Sequence, residues 1–145
     1  MAIFEYIHHV AYVVADMDYA IRVFREVFEL EMIDRHTCEG ERSFEMATFR
    51  CGPTHIEVMR PISYPALEQF LHDHGPGLSH VAFAVKNLPE KIKKLQEKGI
   101  QIKDPGVFVA RTGWTIANFD HDKSDLPFFQ DPYHDDHLAE AEEKR

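Results

Sequence analysis

The chain has 145 residues, enough for one domain or two small fused modules, and its 44% apolar content with eleven Phe supports a packed core rather than a disordered chain. A formal net charge of -9, with ten His counted as neutral, argues against nucleic acid or an anionic membrane as main partner. Two cysteines, Cys38 and Cys51, without C-x-x-C spacing fit a reduced protein; no apolar run reaches the ~18–20 residues of a membrane span, and Met-Ala-Ile-Phe-Glu-Tyr is no basic leader, so the expected location is cytoplasmic.

The first element is an alternating strand over residues 6–14. His9, Ala11 and Val13 share one face, and His8, Val10, Tyr12 and Val14 share the other. Asp16 or Asp18 then caps a helix running to about Leu30, with Ala20, Ile21, Phe24, Val27 and Phe28 at helical spacing. Three strands are predicted next: Glu31–Arg35, then Ser43–Arg50 ended by Cys51-Gly52-Pro53, then Thr54–Met59 ended by Arg60-Pro61. The first half therefore reads β-α-β-β-β. Residues 62–77 form a linker with a short helix over Pro65–His72 and a Gly-Pro-Gly turn.

The second half repeats the first. Laying His80 on His9 matches His-Val-Ala-aromatic twice, with Ile92 over Ile21 and Glu97 over Glu26, without a gap. The strand Leu78–Val85 puts His80, Ala82 and Ala84 on one face. A helix follows from Asn87-Leu88-Pro89 to Gly99, then strands at Gln101–Lys103, Trp114–Asp120 and Pro127–Asp131. The fold class is α+β: module one at 5–61, the linker at 62–77, module two at 78–132. The tail at 133–145 is acid- and His-rich and reads as a solvated helix or frayed end.

One histidine in an apolar strand is ordinarily a hydrogen-bonded core residue. Two at the same place in a repeat point to a shared site. In Thr54-His55-Ile56-Glu57-Val58-Met59, Glu57 is a carboxylate flanked by buried β-branched neighbours and needs a partner. Glu57 lies 48 positions after His9, and Asp131 lies 51 after His80. Pseudo-symmetry then brings His9, Glu57, His80 and Asp131 together. Two imidazoles and two carboxylates suit a divalent ion such as Zn, Co, Ni, Fe or Mn, and the sequence does not choose among them. Glu45, in Phe44-Glu45-Met46, either points to water or faces the cavity, where desolvation would fit it for proton transfer.

With these residues in view, the chain resembles the vicinal oxygen chelate superfamily, the glyoxalase, extradiol dioxygenase and bleomycin-resistance relatives. Within it the chain most resembles the methylmalonyl-CoA epimerases. The matching stretches are Ile7-His8-His9-Val10-Ala11, Phe44-Glu45-Met46, Ile56-Glu57-Val58-Met59-Arg60-Pro61, Gly77-Leu78-Ser79-His80-Val81-Ala82-Phe83 and Phe119-Asp120-His121-Asp122-Lys123-Ser124. The resemblance implies two tandem βαβββ modules forming a curved mixed sheet around a metal cavity, with ligands at His9, Glu57 and His80. It implies a proton-moving role for Glu45, a second catalytic carboxylate at Asp131, a homodimer, and a small-molecule substrate such as an acyl-CoA or other carbonyl compound.

The last quarter departs from the family pattern. Asp125-Leu126-Pro127-Phe128-Phe129-Gln130-Asp131-Pro132 replaces a Gly-Gly strand that ends in a ligand Glu. The fourth ligand falls on Asp131 without a gap, on Gln130 with a one-residue slip, or on water. A Gly-rich family loop is replaced by Phe108–Trp114, where Arg111 either pairs with a ligand carboxylate or phosphate or is a surface arginine.

The resemblance implies a metal-dependent epimerase or isomerase that abstracts a proton beside a metal-bound carbonyl. The rivals are a glyoxalase I-like lyase, an extradiol dioxygenase, which Glu57 would crowd, and a resistance-type binding protein, which needs no metal.

Overall fold

The computed structural model describes residues 2–124 and 136–142. It is an α+β protein in which each half carries the same order of elements. The first is β1 (Tyr6–Val13), α1 (Met17–Arg22), β2 (Glu31–Cys38), β3 (Ser43–Cys51) and β4 (Thr54–Ser63). After α2 (Pro65–His74), the second is β5 (Gly77–Val85), α3 (Leu88–Glu97), β6 (Phe108–Val109), β7 (Thr115–Asn118) and β8 (His137–Glu140). The chain divides into two compact units, His9–Ser79 and Met1–His8 with His80–Arg145. The unit that holds residues 80–145 also holds residues 1–8, and within it the Glu5 backbone N donates to the Ala84 carbonyl at 2.8 Å.

In the first unit the strands run in the order β2-β3-β4-β1. β2, β3 and β4 are antiparallel, and β4 is parallel to β1. α1 starts where Asp16 accepts from the Tyr19 backbone N, 3.0 Å away, and satisfies an otherwise orphaned donor. The single predicted helix to Leu30 is shorter and changes character. Val23–Val27 is a π-helical turn, and Glu29 at φ 57 takes the chain out of the helix before β2. Met17, Ala20 and Ile21 of α1 pack on Ala47, Phe49 and Val58, so one sheet face is a helix-covered core.

In the second unit the order is β5-β8-β7-β6, again with the first and last strands parallel. α3 begins at Asn87, whose left-handed backbone (φ 54) lets its side chain accept from Glu90 N. From β8, Glu140 receives the backbone N–H groups of Asn87 and Leu88 at 3.0 and 2.9 Å, a carboxylate at the positive end of the helix. Leu88, Leu95, Val85, Ala117, Phe119 and Leu138 form the core under α3.

Two sequence expectations change here. The stretch Gln101–Lys103 makes one isolated bridge, Ile102 to Phe119, rather than a strand. The tail at 133–145, expected to be solvated, contains β8, whose His137, Leu138 and Ala139 are buried between β5 and β7. The apolar pair Leu138-Ala139 fills the slot that the repeat requires, and the charged residues around it concealed it in the sequence. The predicted strand Pro127–Asp131 lies outside the described residues.

Candidate metal centre

Strand pairing fixes which side chains share a face, because residues directly opposite each other across a ladder point the same way. In the first unit His9 pairs with His55, Ala11 with Glu57 and Val13 with Met59 across β1 and β4. Across β4 and β3, Glu57 pairs with Thr48. His9, His55, Glu57 and Thr48 therefore occupy the face opposite α1, and all four are buried.

The His9 Nε2 lies 3.7 Å from Glu57 Oε2, beyond a good hydrogen bond. Glu57 is 4% exposed, and burial pushes its carboxyl up to about 7. A carboxylate so deeply buried beside an imidazole is short of positive charge, and a divalent ion is the ligand that would supply it. The residues present fit such an ion.

The second unit offers the matching pair. Ala82 pairs with His137 across β5 and β8, as Ala11 pairs with Glu57 across β1 and β4. His80 stands two residues before Ala82, and His9 stands two before Ala11. The register thus makes His137 the counterpart of Glu57. The rings of His80 and His137 have centroids 4.8 Å apart, and each can offer a ligand nitrogen within 4.8 Å of the other's. Both sit on the face away from α3, with the small buried Ala82 and Ala139 beside them. Asp136, itself buried, accepts from the Val81 backbone N at 2.7 Å and so pins the residue after His80 to the residue before His137.

Of the predicted ligands, His9, Glu57 and His80 occupy these buried strand positions. Asp131 and its alternative Gln130 lie outside the described residues. His137, which the sequence reading did not single out, stands opposite Ala82 as Glu57 stands opposite Ala11. His137 lies 57 positions after His80, so an ungapped repeat passed over it. The available signal was local: His137-Leu138-Ala139 repeats the pattern of Glu57-Val58-Met59, a ligand-type side chain followed by an apolar pair.

Glu45 does not take the expected cavity position. β3 pairs without interruption from Phe44 to Cys51, so Glu45, opposite Arg60, shares its face with Ala47 and Phe49 under α1. Glu57 and Thr48 point the other way. Glu45 Oε1 accepts from Arg35 Nε at 2.9 Å and from its terminal nitrogen at 2.6 Å, while Oε2 accepts from Arg60 Nε at 3.2 Å. Arg35 also reaches Asp18 of α1 at 3.1 Å, and the Glu45 carboxylate first, then Asp18, holds its guanidinium above the ordinary value. Two arginines fix this carboxylate; the desolvated acid that the sequence suggested is Glu57. Arg111 is exposed in the turn between β6 and β7, where Ala110 N donates to Trp114 O and Gly113 N to Ala110 O.

A family model for the Glyoxalase/Bleomycin resistance protein/Dioxygenase superfamily matches residues 8–118. The chain belongs to this superfamily. Paired βαβββ units with one histidine at the same place in each agree with that membership. Among solved structures, a methylmalonyl-CoA epimerase from Mycobacterium tuberculosis is 18% identical with a TM-score of 0.79, covering 99% of this chain and 92% of that one. Another methylmalonyl-CoA epimerase is 23% identical with a TM-score of 0.75 and 99% coverage of both chains. A variant of the Streptomyces coelicolor methylmalonyl-CoA epimerase in complex with 2-nitronate-propionyl-CoA is 15% identical, with a TM-score of 0.70 and coverage of 97% and 99%. At these identities the likeness carries the fold alone. No curated protein sequence matches the chain. Among the described residues no helix is long and apolar enough to cross a membrane.

Proposed function

We propose that this superfamily member is a divalent-metal enzyme that moves a proton on a carbon next to a carbonyl, an epimerase or isomerase, with His9, Glu57, His80 and His137 as the metal ligands. One observation supports the reading: the same strand register holds a pair of ligand-type side chains at the same place in each unit, His9 with Glu57 and His80 with His137. Three imidazoles and one carboxylate are a donor set for a borderline ion such as Zn, Co, Ni, Fe or Mn. Bound there, the ion would supply Lewis acidity to a substrate oxygen.

The chain's own residues do the rest. Glu57, a buried carboxylate, would bring the negative charge that balances the ion. Ala11 beside Glu57 and Ala82 beside His137 keep side-chain bulk small next to these positions. The substrate class we assign is an acyl-CoA or similar carbonyl compound with an acidic C–H. Support comes from the fold shared with the methylmalonyl-CoA epimerases, one of which holds an acyl-CoA analogue. Glu45 takes no part in this reading, because it lies on the helix-covered face.

The test is metal analysis of the purified protein followed by deuterium exchange at the α-carbon of methylmalonyl-CoA under an oxygen electrode. Stoichiometric divalent metal with exchange and no oxygen uptake is expected, and His9→Ala, His80→Ala and His137→Ala should each lose both metal and exchange. Iron with oxygen uptake would replace the reading with a ring-cleaving dioxygenase. Absence of metal would replace it with a binding protein.

A further inference from the structure

β2 carries three side chains that the proposed metal chemistry does not use. Asp34, His36 and Cys38 alternate along this edge strand and share one face. That face is settled by pairing. His36 lies opposite Met46 and Cys38 opposite Phe44, and Met46 in turn lies opposite Met59 of β4. These residues are in step with Thr48 and Glu57, on the side away from α1.

The three side chains are chained by polar contacts. His36 Nδ1 is hydrogen-bonded to Asp34 Oδ2, and His36 Nε2 lies 3.4 Å from Cys38 Sγ, within range of a sulfur hydrogen bond. The order matters chemically. A carboxylate can only accept from Nδ1, so Asp34 fixes the proton on that nitrogen and leaves Nε2 as the acceptor. Nε2 then faces a thiol that has a proton to give. A nucleophile, a base in reach of it, and a carboxylate that orients the base form the arrangement by which a thiol is activated. Neither cysteine is in a disulfide, and Cys51, exposed at the end of β3, serves as an internal reference.

We propose that Asp34, His36 and Cys38 form a proton relay that makes Cys38 a nucleophilic thiol, a modification site for small uncharged electrophiles. The step balances without any further reactant. The Cys38 proton passes to His36 Nε2, and the thiolate attacks the electrophilic carbon. With iodoacetamide the S–C bond forms, the C–I bond breaks, iodide leaves with the electron pair, and the proton stays on the imidazole. Cys38 is 7% exposed, which restricts the site to small reagents.

The surroundings add little competing charge. The facing residues of β3 and β4 are Phe44, Met46, Met59 and Pro61. Glu45 and Arg60 stand on the opposite face of their strands. Glu39, Glu41 and Arg42 occupy the following loop, where the Arg42 guanidinium lies over the Tyr64 ring, and Tyr64 in turn packs on Phe44.

Two measurements on the full chain test the relay. The first is the thiolate ultraviolet absorbance of the Cys51→Ser protein as a function of pH, which reads ionisation whether or not a reagent can reach the sulfur. Cys38 should ionise well below the ~8.5 of a free cysteine, and His36→Gln should return it to that value. The second is iodoacetamide labelling followed by peptide mass spectrometry. At mildly acidic pH, Cys38 should react roughly ten-fold faster than Cys51, and the advantage should shrink in Asp34→Asn. Asp34 is exposed, so that substitution does not endanger the fold. Ordinary ionisation of Cys38 in the unmutated relay, or ionisation and labelling that ignore both substitutions, would overturn the proposal.

Discussion

At the scale of single residues, the two glutamates part by the face they occupy: Glu45 lies on the helix-covered side and Glu57 on the other. Glu45 and Glu57 both sit among apolar strand neighbours, and the sequence could not tell which was stranded, because one residue of register decides the face. Glu57 faces away from α1 without a full cation beside it in its own unit. Its carboxyl is raised from 4.5 to about 7, so the folded chain prefers it protonated. The stability this contributes is fully present below pH 4.5 and is lost as pH rises through about 7. Metal-free protein should therefore lose up to about 3 kcal/mol across that window in urea unfolding, and Glu57→Gln should flatten the profile. An unchanged slope in that variant would place the titration elsewhere. Glu45→Gln should behave differently. It weakens charged hydrogen bonds to two half-exposed arginines and should cost about 1 kcal/mol. Bound metal and α-carbon exchange should stay at the level of the unmutated protein, whereas a collapse of exchange with metal retained would restore Glu45 to the mechanism.

At the scale of elements, most strands and helices of the first unit were legible because their signals are local. Alternation marks β1 and β4, Asp16 marks the start of α1, and Pro65 marks the start of α2. The π-helical turn was not legible, since the apolar stripe from Ala20 to Phe28 fits an uninterrupted α-helix equally well. β8 was hidden for another reason. Its four residues lie in a charged stretch, and only pairing on both sides with β5 and β7 makes them a strand. Leu138 is fully buried in the core under α3, so Leu138→Ala should cost roughly 3 kcal/mol and lower the thermal midpoint. A loss below about 0.5 kcal/mol would mean that β8 is no part of the cooperative unit.

At the scale of the whole molecule, the repeat was the most informative feature of the sequence. His9 on His80 gave the two βαβββ units and two of the proposed ligand positions. Carrying the same ungapped alignment forward put the last ligand on Asp131, because spacing in a sequence counts loop residues as well as strand residues. Strand pairing ignores the loops and sets His137, the residue we propose as the fourth ligand, opposite Ala82. Sequence alone could not show that pairing, since residue spacing does not say which side chain lies opposite Ala82.

The division of the chain also bears on how it assembles. The unit His9–Ser79 is one continuous stretch, so every contact within it is available once residue 79 has emerged. The other unit joins residues 1–8 to residues from 80 onward, and closing it means bridging that whole intervening stretch. The entropic toll of such a closure grows only slowly with length, but it falls due before the contacts that repay it. Synthesis should therefore yield a structured His9–Ser79 stretch while Tyr6–His8 waits for its later neighbours. His137, on the last strand among the described residues, would be the final member of the proposed ligand set to be delivered.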